Sequence, residues 1–260
     1  MTNCSVKYSR RIHIIPVFSK DNKRATKMIM LPEILKADTV YLITTRINPM
    51  PINAETLKSE FEKTHTNIKM ITGAFDDDIY YAIGVLRKII ESERGNYIFI
   101  NLPSTSHVWT SAGLIATMLF SDGNNKTEII PYYLKEKNSY YIAKKHNSER
   151  YDINTLSLGF RIEKPSDEIL NVLARISEIE KKGITVTKKV LIEVLEHSNI
   201  KLTMTSEKDT TNDPGKYNAL QRKFIKPLTD RGYITASGSG IRSGYSVTEQ
   251  GMNALHAFVE

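Results

Sequence analysis

The first half of the chain alternates two kinds of apolar pattern. Short, near-continuous apolar runs occur at Arg11 to Val17 (Arg-Ile-His-Ile-Ile-Pro-Val), Thr39 to Thr44, Ile68 to Thr72, Tyr97 to Leu102 and Thr127 to Tyr133. They are rich in β-branched residues and do not alternate with polar ones. That pattern predicts strands covered on both faces, as in a parallel sheet. Tyr140 to Ile142, after the polar turn Lys135 to Ser139, predicts a further edge strand. Between the runs lie stretches with helical spacing. Ile79, Ile83, Leu86, Ile89 and Ile90 share one helical face, Val108 to Phe120 forms a second helix, and Ala25 to Leu35 a weaker one cut by Pro32. Strand–helix alternation with right-handed crossovers predicts a doubly wound, Rossmann-like α/β sheet.

The pattern changes after Lys144. Residues up to Lys164 are polar, lack a long periodic run and read as a connector. Beyond it, Ser166 caps a helix with Asp167 and Glu168 in its first turn, where the helix dipole favours negative charge. Ile169, Leu170, Leu173, Ile176 and Ile179 make its inward stripe, and Gly183 ends it. A second helix spans about Thr187 to His197, with Val190, Leu191, Val194 and Leu195 inward. A third opens at Asp213-Pro214 with Leu220, Phe224 and Leu228 inward, and Pro227 is expected to kink it or end it early. Two short strands then flank a glycine-rich tip, Ser237 to Gly244, and a last helix runs from Thr248 to Phe258, with Met252, Leu255 and Val259 apolar. Three helices, a hairpin and a closing helix predict a winged helix-turn-helix. The expected division is an α/β domain at 1–145, a connector at 146–164 and a winged helix-turn-helix at 165–260.

Composition narrows the setting. The chain has 260 residues, 40% hydrophobic and 25% charged, so it can bury a sizeable core. Its single cysteine, Cys4, excludes an intramolecular disulfide framework and a multi-cysteine metal site, and fits a reducing, cytoplasmic setting. No apolar stretch approaches the ~20 residues of a membrane-spanning helix. The start of the chain does not read as a signal peptide. The six histidines show no ligand spacing, so no metal and no resident cofactor is expected. Asp76, Asp77 and Asp78 read as a helix cap rather than a metal cluster.

The net charge of +7 is placed unevenly. From Lys216 to Arg242 there are six basic residues and one acid; the rest of the stretch from Arg161 to Glu260 has nine basic and twelve acidic residues. The third helix of this domain carries Lys216, Asn218, Gln221, Arg222 and Lys226 opposite its apolar stripe, and Arg242 sits at the wing tip. Asn and Gln can bond adenine through two hydrogen bonds and Arg can bond guanine likewise. Focused positive charge is the footprint of phosphate contact. These residues are therefore the expected contacts to double-stranded DNA, although winged helices also serve as protein–protein modules.

Doubly wound sheets bind ligands beyond the carboxyl ends of their strands. One such end is Phe18-Ser-Lys-Asp-Asn-Lys-Arg24, which contains Ser19. Another is Asn101-Leu-Pro-Ser-Thr-Ser-His107, which leads into the helix at Val108. Ser104, Thr105 and Ser106 place hydroxyls and N–H groups at a helix start, where anions bind, though Ser and Thr also cap helices without any ligand. Neither loop is a P-loop or a dinucleotide fingerprint. The expected ligand contacts are Ser19, Asn101, Ser104, Thr105, Ser106 and His107. No catalytic residue is expected. The alternative is an enzyme that cleaves a cyclic nucleotide through Ser106 or His107, with the helical domain serving only to dimerise.

Taken in order, several segments resemble a known family. They are Ile12 to Val17, Lys36 to Ile43, Tyr97 to Asn101 with its Ser/Thr loop, Ala112-Gly113, Pro131 to Tyr133, and the C-terminal winged helix. The chain is similar to archaeal regulators of the haloarchaeal type that join a CARF domain, a CRISPR-associated Rossmann-like fold, to a winged helix-turn-helix. The resemblance implies a homodimer whose paired CARF domains bind a ligand across the two-fold axis. That ligand is a cyclic oligoadenylate in some relatives and would here be such a molecule or another nucleotide. Asn101, Ser104 and Ser106 keep the polar places of the family's fourth-strand loop. Pro103, Thr105 and His107 stand where the family carries a small polar residue, a glycine and a lysine.

Overall fold

A computed structural model describes residues 9–17, 36–45, 58–59, 61–63, 66–74, 77–102, 106–121, 127–136, 151–156, 164–198, 214–238 and 244–259. The chain divides into two compact units, 1–163 and 164–260.

The first unit holds a six-stranded sheet. In chain order its elements are β1 (Arg11–Val17), β2 (Thr39–Thr45), β3 (Asn67–Ala74), helix α1 (Ile79–Ser92), β4 (Tyr97–Asn101), helix α2 (His107–Phe120), β5 (Glu128–Glu136) and β6 (Tyr151–Thr155). The strand order is β3-β2-β1-β4-β5-β6, parallel from β3 to β5 and antiparallel at β6. The order reverses between β1 and β4, so the topological switch point lies at the centre of the sheet.

Side chains two apart along a strand share a face, and register carries that face across the sheet. Ile12, Ile14, Ile98 and Ile100 occupy one face. At Gly113 of α2 an added Cβ would lie 2.8 Å from Leu102 Cδ2 and 3.2 Å from Ile100 Cγ2, so α2 packs close over this side. Ile15, Val17, Val40, Leu42 and Tyr132 fill the other face together with Phe61. α1 starts as its sequence dictates: the Asp78 carboxylate accepts hydrogen bonds from the N–H groups of Tyr80 and Tyr81. At the opposite end of α1, the buried Glu93 carboxylate accepts from Tyr41 Oη at 2.7 Å, Lys69 Nζ at 2.9 Å and Arg10 Nη2 at 2.9 Å. Burial alone would raise the Glu93 pKa. The hydrogen bonds from Tyr41 and Lys69 and the charges of Lys69 and Arg10 outweigh it and hold the carboxyl below its usual range.

One difference from the sequence reading concerns the connector. Tyr151–Thr155 pairs with β5 as an antiparallel edge strand. Its Tyr-Asp-Ile-Asn-Thr sequence alternates instead of running apolar, because an edge strand need not be covered on both faces. The expected helix at Ala25 to Leu35 and the expected strand at Tyr140 to Ile142 lie outside the described residues.

The second unit begins with helix α3 (Asp167–Lys181), capped by Ser166 and followed by Gly183 at φ +73°. Strand β7 (Val186–Thr187) and helix α4 (Lys188–His197) come next. Residues 214–230 form one helical stretch, α5, in three segments: Pro214–Leu220 is α-helical, Gln221–Ile225 is π-helical and Lys226–Asp230 is α-helical again. Strands β8 (Ile234–Ser237) and β9 (Gly244–Val247) form an antiparallel hairpin, and β7 pairs on the far side of β9. Helix α6 (Glu249–Phe258) closes the unit. One core joins these elements, with Leu173, Ile176, Leu191, Leu195, Leu220, Phe224, Leu228 and Leu255 among its buried residues. Pro227 does not end α5, which continues to Asp230. A π turn stands just before it, where a proline removes the regular hydrogen bond to the carbonyl four residues back. Among the described residues no helix is long and apolar enough to cross a membrane.

Candidate nucleic-acid interface and strand-end site

The candidate interface is the outer face of α5. Leu220, Phe224 and Leu228 are fully buried, as their spacing predicts. Asn218, Arg222 and Lys226 are exposed and Gln221 is half-buried. Among the described residues, no ion pair engages the Arg222 guanidinium or the Lys226 ammonium, so both charges face solvent.

Lys216 corrects the sequence reading. It was expected on the outer face, but its side chain is only 11% exposed and its ammonium lies 2.6 Å from Glu196 Oε1 on α4. The first turn of α5 leans against the end of α4, and a lysine there meets a carboxylate. Lys223 pairs with Glu168 on α3 at 3.0 Å. Arg231 Nη1 donates to the Pro227 carbonyl at 3.3 Å, a cation at a helix C-terminus. The focus of positive charge is thus narrower than the count from Lys216 to Arg242 implied. Two cations tie α5 to its neighbours, while Arg222 and Lys226 stay exposed. Arg242 lies outside the described residues, between strands that reach Ser237 and resume at Gly244.

The second candidate site is the carboxyl end of the sheet around β1 and β4. Ser19, Ser104 and Thr105 lie outside the described residues. Asn101 ends β4, is buried, and its side chain hydrogen-bonds the Tyr132 hydroxyl. Ser106 is buried and caps α2: its Oγ accepts from the Trp109 N–H at 3.3 Å, and its carbonyl accepts from Thr110 Oγ1 at 2.8 Å. His107 is exposed in the first turn of α2. Trp109 is fully buried.

Sequence reasoning missed His13. It sits mid-strand in β1, fully buried, on the same face as Ile15, Phe99 and Tyr132. Its ring stacks on Phe99 at 4.7 Å and 9°, and meets Tyr132 edge-on at 5.9 Å. Nδ1 lies 3.5 Å from the Tyr132 hydroxyl, and Nε2 has no partner among the described residues. Burial first, and the charge of Arg11 second, lower its pKa to about 3, so the ring is neutral. Burial likewise raises the Tyr132 phenol. Thr44, near the end of β2 on this same face, is also buried, and its Oγ1 has no partner among the described residues. The signal for His13 in the sequence is a lone polar ring inside an all-apolar strand. Among the described residues no group of three or more His, Cys, Asp or Glu side chains is placed to hold a metal ion.

Comparison with known proteins agrees with the second unit's anatomy. Residues 168–259 match the family model described as the DUF6293 C-terminal winged helix domain. Residues 11–139 match a model described as HFX_2341_N-like, N-terminal. No curated protein matches the chain. Among solved structures, the protein VC1899 from Vibrio cholerae is similar at 11% identity and a TM-score of 0.39, covering 95% of this chain. This chain spans 64% of that one's length. The protein is an α/β domain with a mostly parallel six-stranded sheet, similar over residues 11–139 to that N-terminal model, followed by a winged helix domain.

Proposed function

We propose that the chain is a ligand-responsive DNA-binding regulator that acts as a homodimer. One observation carries the DNA reading. On the helix that a winged helix lays in the major groove, Asn218, Arg222 and Lys226 are exposed, while Lys216 and Lys223 are engaged within the domain. Arg222 and Asn218 have the donor sets for base edges, and Lys226 that for phosphate.

Pairing of two chains is supported by α2. Between Val108 and Phe120 it has no charged residue, and Leu114, Ile115, Met118 and Leu119 remain half-buried. An uncharged helix with half-buried leucine, isoleucine and methionine side chains can be covered by a second copy. The ligand is read as a cyclic oligoadenylate or another nucleotide, in keeping with the regulators whose CARF domains this α/β domain resembles. Among the described residues, His13 Nε2 and Thr44 Oγ1 are buried without a partner on one face of the sheet, His13 in the strand β1 that borders the switch point. Ligand would favour one spacing of the two winged helices over another, a shift of population. The cleavage reading is not favoured: Ser106 is buried as a cap, and among the described residues no hydrogen bond joins it to His107.

Selection of bound fragments from a randomised DNA library by the full-length protein tests all three parts. An inverted repeat is expected, with half-sites about one helical turn apart. A lone half-site would remove the dimer. An unselected pool would remove sequence-specific binding. A preference indifferent to added cyclic oligoadenylates and mononucleotides would remove nucleotide sensing.

A further inference from the structure

The π turn lies in the middle of the reading helix, between stripes that a regular α-helix would not keep aligned. Both stripes of α5 run at intervals of four: Leu220, Phe224 and Leu228 inward, Asn218, Arg222 and Lys226 outward. In a regular α-helix each residue turns about 100°, so positions eight apart diverge by about 80°. Such a stripe slides off its face. A π turn holds one extra residue, so eight residues complete about seven α-helical steps. Positions eight apart then return to within about 20° of one another. Burial agrees with this alignment: Leu220 and Leu228 are both fully buried, and Asn218 and Lys226 are both exposed. The extra residue is marked by the Lys226 N–H, which bonds the Gln221 carbonyl five residues back.

Pro227 stands immediately after that bond. Having no N–H, it cannot close the α-helical bond to Lys223, and its ring would strike that carbonyl in a regular helix. Regular α-helix is thereby disfavoured at this turn. The helix is also held from outside: Lys216 fastens its first turn to Glu196, and Lys223 fastens its middle to Glu168.

We propose that Pro227 and the π turn at Gln221–Ile225 set base specificity by holding Asn218, Arg222 and Lys226 in one straight stripe along the groove, with Pro227 as a positioning residue. The inference rests on the DNA-binding reading above and adds what fixes its selectivity. Asn218 and Arg222 are then about 6 Å apart along the helix axis, and so read base pairs within two steps of each other.

The test compares full-length wild type with Pro227→Ala on the best selected site, on its single-base variants and on unrelated DNA. The variant regains an N–H and permits a regular turn. Its discrimination between best site and single-base variants is expected to fall roughly tenfold. Binding to unrelated DNA, which depends on charge alone, should stay within about twofold. Unaltered discrimination in a folded Pro227→Ala protein overturns the proposal. A second arm leaves the helix geometry intact and covers the case in which that variant does not fold. Asn218→Ala should relax preference at base pairs adjoining those that Arg222→Ala relaxes. A site preference indifferent to Asn218→Ala overturns the proposal by itself. Wild type that binds no DNA removes the functional reading and this inference together, whereas wild-type binding with unaffected variants removes only the inference.

Discussion

Gly251→Ala is expected to unfold the winged helix unit at temperatures where the α/β unit stays folded. By helix propensity alone the change should stabilise, since alanine exceeds glycine by roughly 1 kcal/mol in a helix interior. Position 251 lies in the first turn of α6, hard against the wing. A Cβ there would overlap the Tyr233 carbonyl oxygen and lie 3.0 Å from the Tyr233 carbonyl carbon and 2.8 Å from Val247 Cγ1. The valine methyl can move, but the carbonyl cannot, because it accepts the Thr248 N–H at 3.0 Å and Tyr233 in turn bonds back to Leu228. The Gly251 N–H is itself held by Thr248 Oγ1 at 3.0 Å, so the helix start cannot retreat. Relief requires parting α6 from the hairpin, at a cost of more than about 3 kcal/mol. The two units report separately. The chain's only tryptophan, Trp109, is buried in the α/β unit, so its fluorescence follows that unit, while amide exchange over residues 214–259 follows the other. Lost protection in the second with an unchanged Trp109 transition is the expected result; protection equal to wild type would show that the wing–helix contact yields.

Acid should weaken the α/β unit well before its carboxylates protonate. His13 has a folded pKa of about 3 against an ordinary value of 6.5. Above pH 6.5 the ring is neutral in both folded and unfolded chains, and its contribution is fully present. As pH falls below 6.5 the unfolded chain takes up the proton first, so stability declines down to about pH 3. At about 1.4 kcal/mol per pH unit, roughly 2 kcal/mol is lost between pH 6.5 and 5. Glu93, whose carboxyl is held below its usual range, adds its own loss only at lower pH, as that group protonates. His13→Phe keeps a flat ring against Phe99 and Tyr132 and removes the unpartnered nitrogen. Urea unfolding followed at Trp109 should therefore show a constant gap between variant and wild type above about pH 7, widening by roughly 2 kcal/mol against wild type at pH 5. Parallel pH profiles for the two proteins would mean that His13 gains a proton partner when folded.

The sheet was readable in the sequence because burial on both faces forces unbroken apolar runs, and Arg11–Val17 is a clear example. The helix starts at Asp78 and Ser166 were equally plain, since a short polar side chain ahead of an apolar stripe has a local reason to be there. What escaped depended on partners distant in sequence. β6 is an edge strand whose polar alternation resembles a linker. Lys216 looked like a surface cation because Glu196 lies on a different helix. The π turn was hidden because intervals of four satisfy an α-helix over a single turn and fail only over two. His13 passed unremarked because one polar ring barely dents the hydrophobicity of its strand. At the proposed DNA site, three of the six expected contacts, Asn218, Arg222 and Lys226, are exposed together. Gln221 is half-buried and Lys216 is withdrawn into an ion pair.

The proposed function requires Arg222 and Lys226 to face a nucleic-acid backbone and groove. Its most direct test is a salt titration of DNA affinity for the full chain, run beside Lys226→Ala and Arg222→Ala. Wild type should bind with log affinity falling linearly in log salt. Lys226→Ala should reduce that slope by about one on every sequence, and Arg222→Ala should weaken the preferred site by 1–3 kcal/mol while flattening its base preference, by the usual arithmetic of such contacts (~tenfold per 1.4 kcal/mol). Identical slopes and preferences for all three proteins, or no salt-dependent binding at all, would contradict it.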